Sequence, residues 1–491
     1  MYVIMNKRIL FMAPWLFGAG LLFSGCNDYL DLIPKGKKVP TTLEDYRAFL
    51  QDPNVYTTGD FHKTYIVNEF KIDDYIKSDP VSATNCFWLE DGDRISNLEY
   101  DANYTNNYDA IYAANLVVEG VPTVSVNGEA EVKKAKAIIA QGKVLRVLHY
   151  FHLINSYAKA YDPATAATDG GIPYSTSSNN FETPIPQRTV GEVYGYMLDD
   201  LNSAIPDLPE EAGNFMEANK AAGYALRARV YLFMKNFEEA LKDADEALKR
   251  NDYIFDMVDY HREYVDPNGT GVSIQGDGAA IGGLPRITYS LGVRENLLVT
   301  GGINGVNSVT RPGNLPIKDS LENQYCTRDS SRYEVGDTRF LCTYYRNAAA
   351  GYYQYRRGDN MNIGGLRTPE VYLIRAECYA RQGELQKAMN DLNALRVKRI
   401  VARVYQPLTA ATKLEAINHI RHERDVELLG SDMMFYDMRR FNTETEYQRT
   451  MVKKDEDGII RTLRPESALW VLPFPMNVTR FNPSLRQNTS I

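Results

Sequence analysis

The sequence predicts a mostly α-helical protein: tetratricopeptide-like helical hairpins form a scaffold that carries long, irregular, loop-rich insertions and minor β-hairpins. Two segments repeat one pattern, since Ala228, Tyr231, Phe237, Ala240, Ala244 and Ala247 are each matched 148 residues later by Ala376, Tyr379, Leu385, Ala388, Leu392 and Leu395. Helical apolar spacing recurs on either side of both segments. The stretch 251–366 lacks it and is rich in Gly, Asn, Asp and Tyr, with turn signals at Asp266-Pro267-Asn268-Gly269 and Gly282-Gly283. Small residues at Ala228 and Ala376 let two antiparallel helices approach, and the large residue after each turn fills the gap. The turns Lys235-Asn236 and Arg381-Gln382-Gly383 are short enough to force a helix–turn–helix hairpin.

The elements follow in chain order. Lys7 and Arg8, an apolar run over 9–23, then Ser24 and Gly25 ahead of Cys26 describe an export signal, residues 1–25. The run is short for a permanent span, and the basic start keeps the N-terminus cytoplasmic. Cleavage leaves Cys26 as the first mature residue and lipid acceptor, so acyl chains anchor the protein without a spanning segment. Phe23 stands where Leu is commoner before such a cysteine. Residues 103–119 read as a helix, with Tyr100, Tyr104 and Tyr108 marking its buried side. Residues 129–157 carry Val132, Ala135, Ile139, Val144, Leu148 and Phe151 at helical spacing. Residues 190–205 start at a Thr189 cap and stop at Pro206, and residues 412–429 are closed by Gly430. Residues 451–463 alternate around Asp457-Gly458 as a short hairpin. The mature chain 26–491 is thus expected to be one domain, with helical repeats over about 103–250 and 367–441 and a loop-rich insertion over about 251–366.

Composition narrows the function. With 44% hydrophobic and 24% charged residues the chain is an ordinary globular one, and a net charge of −8 argues against a nucleic-acid surface. Beyond Cys26, the cysteines Cys86, Cys326, Cys342 and Cys378 form neither a disulfide framework nor a zinc pattern. A Cys326–Cys342 bridge stays open, and Cys378 reads as a buried small hydrophobe. There is no GxSxG elbow, HExxH or P-loop, and no carboxylate pair is singled out. No enzymatic activity and no cofactor are expected. His149 with His152, and His419 with His422 and Glu423, share helix faces that could hold a metal; packing and ion pairs are the expectation. Asp266, Asn268, Thr270, Gly271 and Asp277 imitate a calcium loop without flanking helices.

Tyrosine is the compositional outlier, with 34 residues against 18 Phe and 3 Trp. A flat apolar face with a hydroxyl suits polar ligands, although many of these tyrosines lie at core spacing. Trp88 is the sharper candidate. It stands beside Asp91, Asp93 and Arg94 in a turn-forming stretch, where an indole either stacks on a sugar face or plugs the core.

The residues resemble the SusD/RagB outer-membrane nutrient-binding lipoproteins of Bacteroidetes along essentially the whole chain. Asn27-Asp28-Tyr29-Leu30-Asp31 with Pro34 is similar to that family's mature start. Ala140 to Arg146 with His149-Tyr150-Phe151, then Gly170 to Tyr174, is similar to its long helix and following loop. Arg188-Thr189-Val190 through Leu198 to Leu201, Arg367 to Glu377, and Leu392 to Arg396 are similar to further helices. Pro473-Phe474-Pro475 with Asn482 to Asn488 is similar to its C-terminal signature. One departure is visible after Glu427-Leu428, where an acidic residue, Gly and Arg are usual and Leu429-Gly430-Ser431-Asp432 stands.

The resemblance implies a non-enzymatic protein, lipid-anchored on the outer face of the outer membrane. It would cap a SusC-like TonB-dependent transporter and deliver oligosaccharides to it, or oligopeptides in the RagB branch. It also favours Trp88 as a ligand contact, with Asp91, Asp93 and Arg94, and secondarily Asn304, Asn307 and Arg311. A scaffold that binds only protein partners is the alternative from another class.

Overall fold

The computed structural model describes residues 40–52, 62–67, 74–179, 184–265, 293–300, 334, 336–347, 352–355, 362, 364–428, 431–454 and 458–489. Helix α1 (Leu43–Leu50) starts at a capping box between Thr42 and Asp45. Short helices α2 (His62–Val67), α3 (Asp74–Ser78) and α4 (Pro80–Phe87) follow. Helix α5 (Ala102–Gly120) opens on Asp101, whose carboxylate accepts from the amides of Asn103 and Tyr104. That cap leaves Tyr100 outside the helix and 55% exposed, which corrects its expected place on the buried face; Tyr104 is buried as expected.

Helix α6 (Gly128–Tyr157) spans 30 residues and is buried through most of its second half. The pair β1 (Gly170–Pro173) and β2 (Gln187–Thr189) leads into α7 (Val190–Ala204), which begins at a Thr189–Glu192 capping box. It tightens into a 3-10 turn at Ile205–Asp207, where Pro206 has no amide to continue the ladder. The first repeat is α8 (Lys220–Phe233) with α9 (Phe237–Arg250). After α10 (Met257–Tyr260) come β3 (Asn296–Leu298), α11 (Thr338–Thr343), β4 (Tyr344–Asn347), β5 (Tyr352–Tyr355) and β6 (Leu366–Arg367). The second repeat is α12 (Thr368–Arg381) with α13 (Leu385–Arg396), followed by α14 (Lys413–Glu427) from its Thr412 cap and α15 (Met433–Asn442). Strands β7 (Met451–Lys454) and β8 (Ile460–Leu463) form the expected hairpin, and α16 (Met476–Phe481) precedes the C-terminus. Residues 41–491 gather into one compact unit.

One side-chain arrangement joins the helices three times. On α6, Arg146 donates from Nε and Nη2 to both oxygens of Asp200 on α7, at 2.8 and 2.7 Å, and from Nη1 to Asn115 on α5 at 2.8 Å. On α8, Arg227 grips Asp243 on α9 at 2.7 and 2.7 Å and reaches back to Asn202 on α7 at 2.8 Å. On α12, Arg375 grips Asp391 on α13 at 2.8 and 2.7 Å and reaches back to Asp245 on α9 at 3.0 Å. A planar guanidinium with five fixed donors can staple three helices in this way; an ammonium cannot. Tyr224 and Tyr372 each lie under the arginine three residues later, at 5.6 and 5.4 Å. The staple obeys the 148-residue offset, so the repeat extends to Tyr, Arg and Asp as well as to the apolar positions.

The C-terminal half adds a chain of buried ions. Arg229 on α8 pairs with Glu370 on α12 at 2.5 Å, Arg424 on α14 with Asp437 on α15 at 2.7 Å, and Arg440 with both Asp437 and Glu377 at 2.7 and 2.6 Å. Beside them Arg339 bonds Asp337, Glu423 and Glu427, and Arg399 bonds Glu427 and Glu295. Charges taken out of water hold only when each finds its counter-ion and hydrogen bonds, so these residues fix which helices meet. Glu377 is fully buried, yet Arg440 and Arg381 outweigh the burial penalty and hold its carboxyl down at about 2.

Antiparallel β3 and β6 form the base of the insertion, with Asn296 opposite Arg367 and Leu298 opposite Leu366. Asn362 closes this neck. Its Oδ1 accepts from the amides of Thr300 and Gly365 at 3.2 and 3.0 Å, and its Nδ2 donates to the Leu298 carbonyl and Asn296 Oδ1 at 3.0 and 2.9 Å. A Cβ on Gly365 would stand 2.1 Å from the Leu298 carbonyl oxygen, so only glycine fits. The scaffold holds the neck from below through Arg229, which donates to the Gly365 carbonyl, and His152, whose Nε2 donates to the Gly364 carbonyl at 3.0 Å.

Candidate ligand-binding surface

The loop after α4 carries four of the residues singled out from sequence, and the structure divides them. Trp88 caps α4 with φ 52°, a left-handed conformation that bulky residues rarely adopt. Its indole Nε1 donates to the Ile66 carbonyl at 2.9 Å, and the ring is 6% exposed within the main core. Lys453 on β7 places its ammonium 4.0 Å from the ring centre and donates to the Cys86 carbonyl; its cross-strand partner Arg461 covers Phe87 at 5.8 Å. The expected open stacking platform is therefore corrected: here Trp88 plugs the core beneath the β7–β8 hairpin.

Arg94 is corrected in the same sense. It is 1% exposed, and its guanidinium donates to the carbonyls of Ala468, Val471 and Leu469 at 2.9, 3.1 and 3.4 Å and to Asn85 Oδ1 at 3.4 Å. Burial pushes its pKa down to about 10. It ties the loop to segment 468–471 through Nη1 and Nη2, and its Nε is buried out of a ligand's reach. Asp93 is exposed and closes a turn by accepting from the Ser96 amide at 2.8 Å, a bond that holds its carboxyl below the usual range. Asp91 is exposed. Cys26, Asn304, Asn307 and Arg311 lie outside the described residues, as do Asp266 to Asp277 and Cys326.

The paired histidines are structural. His149 Nδ1 meets Asn107 Oδ1 at 2.8 Å. His152 gives its Nε2 proton to Gly364, so its Nδ1 accepts from the Tyr436 hydroxyl at 3.2 Å. Burial, with Lys63 and Arg229 nearby, holds His152 well below its ordinary pKa and keeps it neutral. Glu423 is spent on Arg339 and Arg396. No group of three or more potential metal ligands occurs among the described residues. Cys378 is buried and its thiol pKa is pushed up, first by burial.

Two open clefts mark the described surface. The first, about 440 Å³, lies where the C-terminal ends of α6 and α15 meet segment 465–471 and residues 488–489. It mixes Lys159 and Arg439 with Asp162, Asp169 and Glu466, and Trp470 forms part of its wall. Arg439 donates to the carbonyls of Asn155 and Ala158, the last of α6, as a cation should at a helix C-terminus. The second, about 410 Å³, lies at the foot of the neck between Asn219, Arg250, Arg294 and Asn296. Sequence reasoning missed both, because their walls come from segments far apart in the chain. A lone Trp470 beside Pro465-Glu466-Ser467 was the one local signal.

Two family models match the chain in order: one described as starch-binding and associating with the outer membrane, over residues 28–232, and one described as the SusD family, over residues 316–490. A SusD superfamily protein from Bacteroides thetaiotaomicron shares the fold with a TM-score of 0.65 at 20% identity, covering 92% of this chain and 100% of that one. A SusD-like carbohydrate binding protein from Bacteroides vulgatus matches with a TM-score of 0.60 at 16% identity, over 92% and 98% of the two chains. Surface glycan-binding protein A from Bacteroides uniformis matches with a TM-score of 0.61 at 16% identity, over 91% and 99%. A comparison with curated protein sequences returns no match.

Proposed function

The chain belongs to the SusD family, and from that premise we propose that it is a cell-surface lipoprotein that binds oligosaccharides and delivers them to a SusC-like TonB-dependent transporter in the outer membrane. One observation carries the reading: the fold is shared over more than nine-tenths of the chain with proteins described as carbohydrate- and glycan-binding. On this reading the protein captures and releases without bond chemistry. The buried carboxylates of Glu370, Glu377 and Glu423 are engaged by arginines, an arrangement that fixes structure and leaves little for acid–base work.

The ligand contacts on this proposal come from loops: the turn that exposes Asp91 and Asp93, and Asn304, Asn307 and Arg311, which follow Thr300 in sequence and lie outside the described residues. Trp88 joins them only if Lys453 and Arg461 lift from the rings they cover. Attachment rests on Cys26: no described helix is long and apolar enough to cross a membrane. Cys26→Ser should abolish incorporation of labelled palmitate.

Calorimetry of residues 27–491 against oligosaccharide and oligopeptide panels tests the function. Saturable binding of one glycan class is the expected result. Binding of peptides alone would move the protein to the RagB-like alternative, and binding of neither would leave a scaffold for protein partners.

A further inference from the structure

We propose that the cleft at the foot of the neck takes an acidic saccharide, one or two sugar units bearing a carboxylate or sulfate group. The proposal rests on the glycan-binding reading and adds to it the charge of the ligand; it shares none of the loop residues named above.

The side-chain groups that the cleft leaves unspent are nearly all donors. Four asparagines line it, and the side-chain oxygen of each is taken: Asn214 accepts from the Met216 amide at 2.8 Å, Asn219 from Ala222 at 2.9 Å, Asn251 from Tyr253 at 3.2 Å and Asn296 from Asn362 Nδ2 at 2.9 Å. Asn214 and Asn219 are half-buried, and their Nδ2 groups are open to solvent with no acceptor among the described residues. Glu210 is closed by Lys220 at 2.7 Å and Arg250 at 3.1 Å. Arg250 also gives Nη1 to Glu246 at 2.8 Å and keeps Nη2. Arg294 is an uncommitted cation: it is exposed, its guanidinium makes no hydrogen bond among the described residues, and the Tyr253 ring steadies it from 4.9 Å. Against these donors, the one side-chain acceptor left among the described lining residues is the exposed carboxylate of Glu211. Helix α8 starts in the same wall, with Ala221 of its first turn lining the cleft, and a helix N-terminus favours negative charge. Amide and guanidinium N–H groups with few acceptors suit a ligand group that only accepts, which a carboxylate or sulfate does and a hydroxyl does not. Phe215, half-buried in the lining, offers the sugar ring an apolar face. A volume of about 410 Å³ holds a ligand of that size.

Calorimetry of residues 27–491 with glucuronate, galacturonate and glucose 6-sulfate, against glucose and galactose, tests the assignment. The sugar acids should bind saturably and about tenfold or more tightly than their neutral counterparts, an advantage that shrinks with added salt. Whichever acid binds best names the carboxylate or the sulfate as the group recognised. Arg294→Gln removes the charge at an exposed site, and Asn219→Asp keeps the α8 cap while turning a donor into an acceptor. Each should weaken acid binding about tenfold or more at unchanged Tm. Lys136→Gln, which removes an exposed charge on α6, should leave it unchanged. Acids that bind no better than neutral sugars, or that keep their affinity in both cleft variants, overturn the proposal. So does binding of free sulfate and acetate as tight as that of the sugar acids, which would mark an anion site with no part for the sugar. Neutral oligosaccharides bound without this preference overturn it while sustaining the glycan-binding reading, and no saccharide bound at all overturns both.

Discussion

Hairpins α8–α9 and α12–α13 carry the same staple at the same offset and part at buried charged positions, above all where Arg229 in the first is answered by Glu377 in the second. Both side chains are completely buried. Arg229 looks to Glu370 on α12, and Glu377 looks to Arg440 on α15. An arginine at position 377 would instead face Arg440, and a glutamate at position 229 would face Glu370, two buried like-charge pairs. The apolar repeat thus builds the hairpin, and the inverted charge decides which neighbour it accepts.

The largest effect should come from erasing that difference. Glu377→Ala leaves Arg440 buried with only Asp437 and should cost about 3–5 kcal/mol; Arg229→Ala, which strands Glu370, should cost a similar amount. Denaturant midpoints at unchanged slope measure both, and losses below about 1 kcal/mol would mean that the neighbours are chosen by packing alone. Acid sharpens the contrast next. The folded-state carboxyl of Glu377 lies at about 2 against an ordinary 4.5, so its stabilisation is present above pH 4.5 and lost as pH falls toward 2. That amounts to about 3 kcal/mol, and in Glu377→Gln this part of the acid dependence should vanish.

The shared staple should give smaller and matching numbers. Double-mutant cycles on Arg227–Asp243 and on Arg375–Asp391 should each return a coupling of about 1–2 kcal/mol. A coupling present in one hairpin and absent in the other would break the equivalence. The smallest difference lies in the turns. Lys235 holds φ 61° where Gly383 holds φ 85°, and only glycine enters that region without a steric cost. Lys235→Gly should raise stability by up to about 1 kcal/mol and Gly383→Lys should lower it by as much, read as opposite shifts in Tm.

What could be read in the sequence was whatever repeats or alternates locally. The helix from Gly128 to Tyr157, the Thr189 and Thr412 caps, and the hairpin from Met451 to Leu463 follow from spacing and cap chemistry within a few residues. The staple is legible too, since Tyr224, Arg227 and Asp243 obey the offset, but single charged positions carry no periodicity of their own to mark which of them meet. Arg229 with Glu370, or Arg94 with the carbonyls of 468–471, are separated in the chain by spans that no periodicity bridges. Trp88 shows why the loop misled. A tryptophan among turn formers looks alike whether its face is open or covered, and the cover is Lys453, hundreds of residues away.

The neck closed by Asn362 has a consequence for descent. The chain leaves at Thr300 and returns at Asn362 to one hydrogen-bonded base, so what lies between begins and ends at a single point of the scaffold. Lengthening such a closed segment adds only about 0.6 kcal/mol of closure entropy for each doubling. Lineages carrying this neck can therefore trade much of the enclosed segment as a cassette, provided the stretch from Glu334 to Cys342 keeps the ion pairs of Glu334 with Arg396 and of Arg339 with Glu423 and Glu427 that bind it back to the helices.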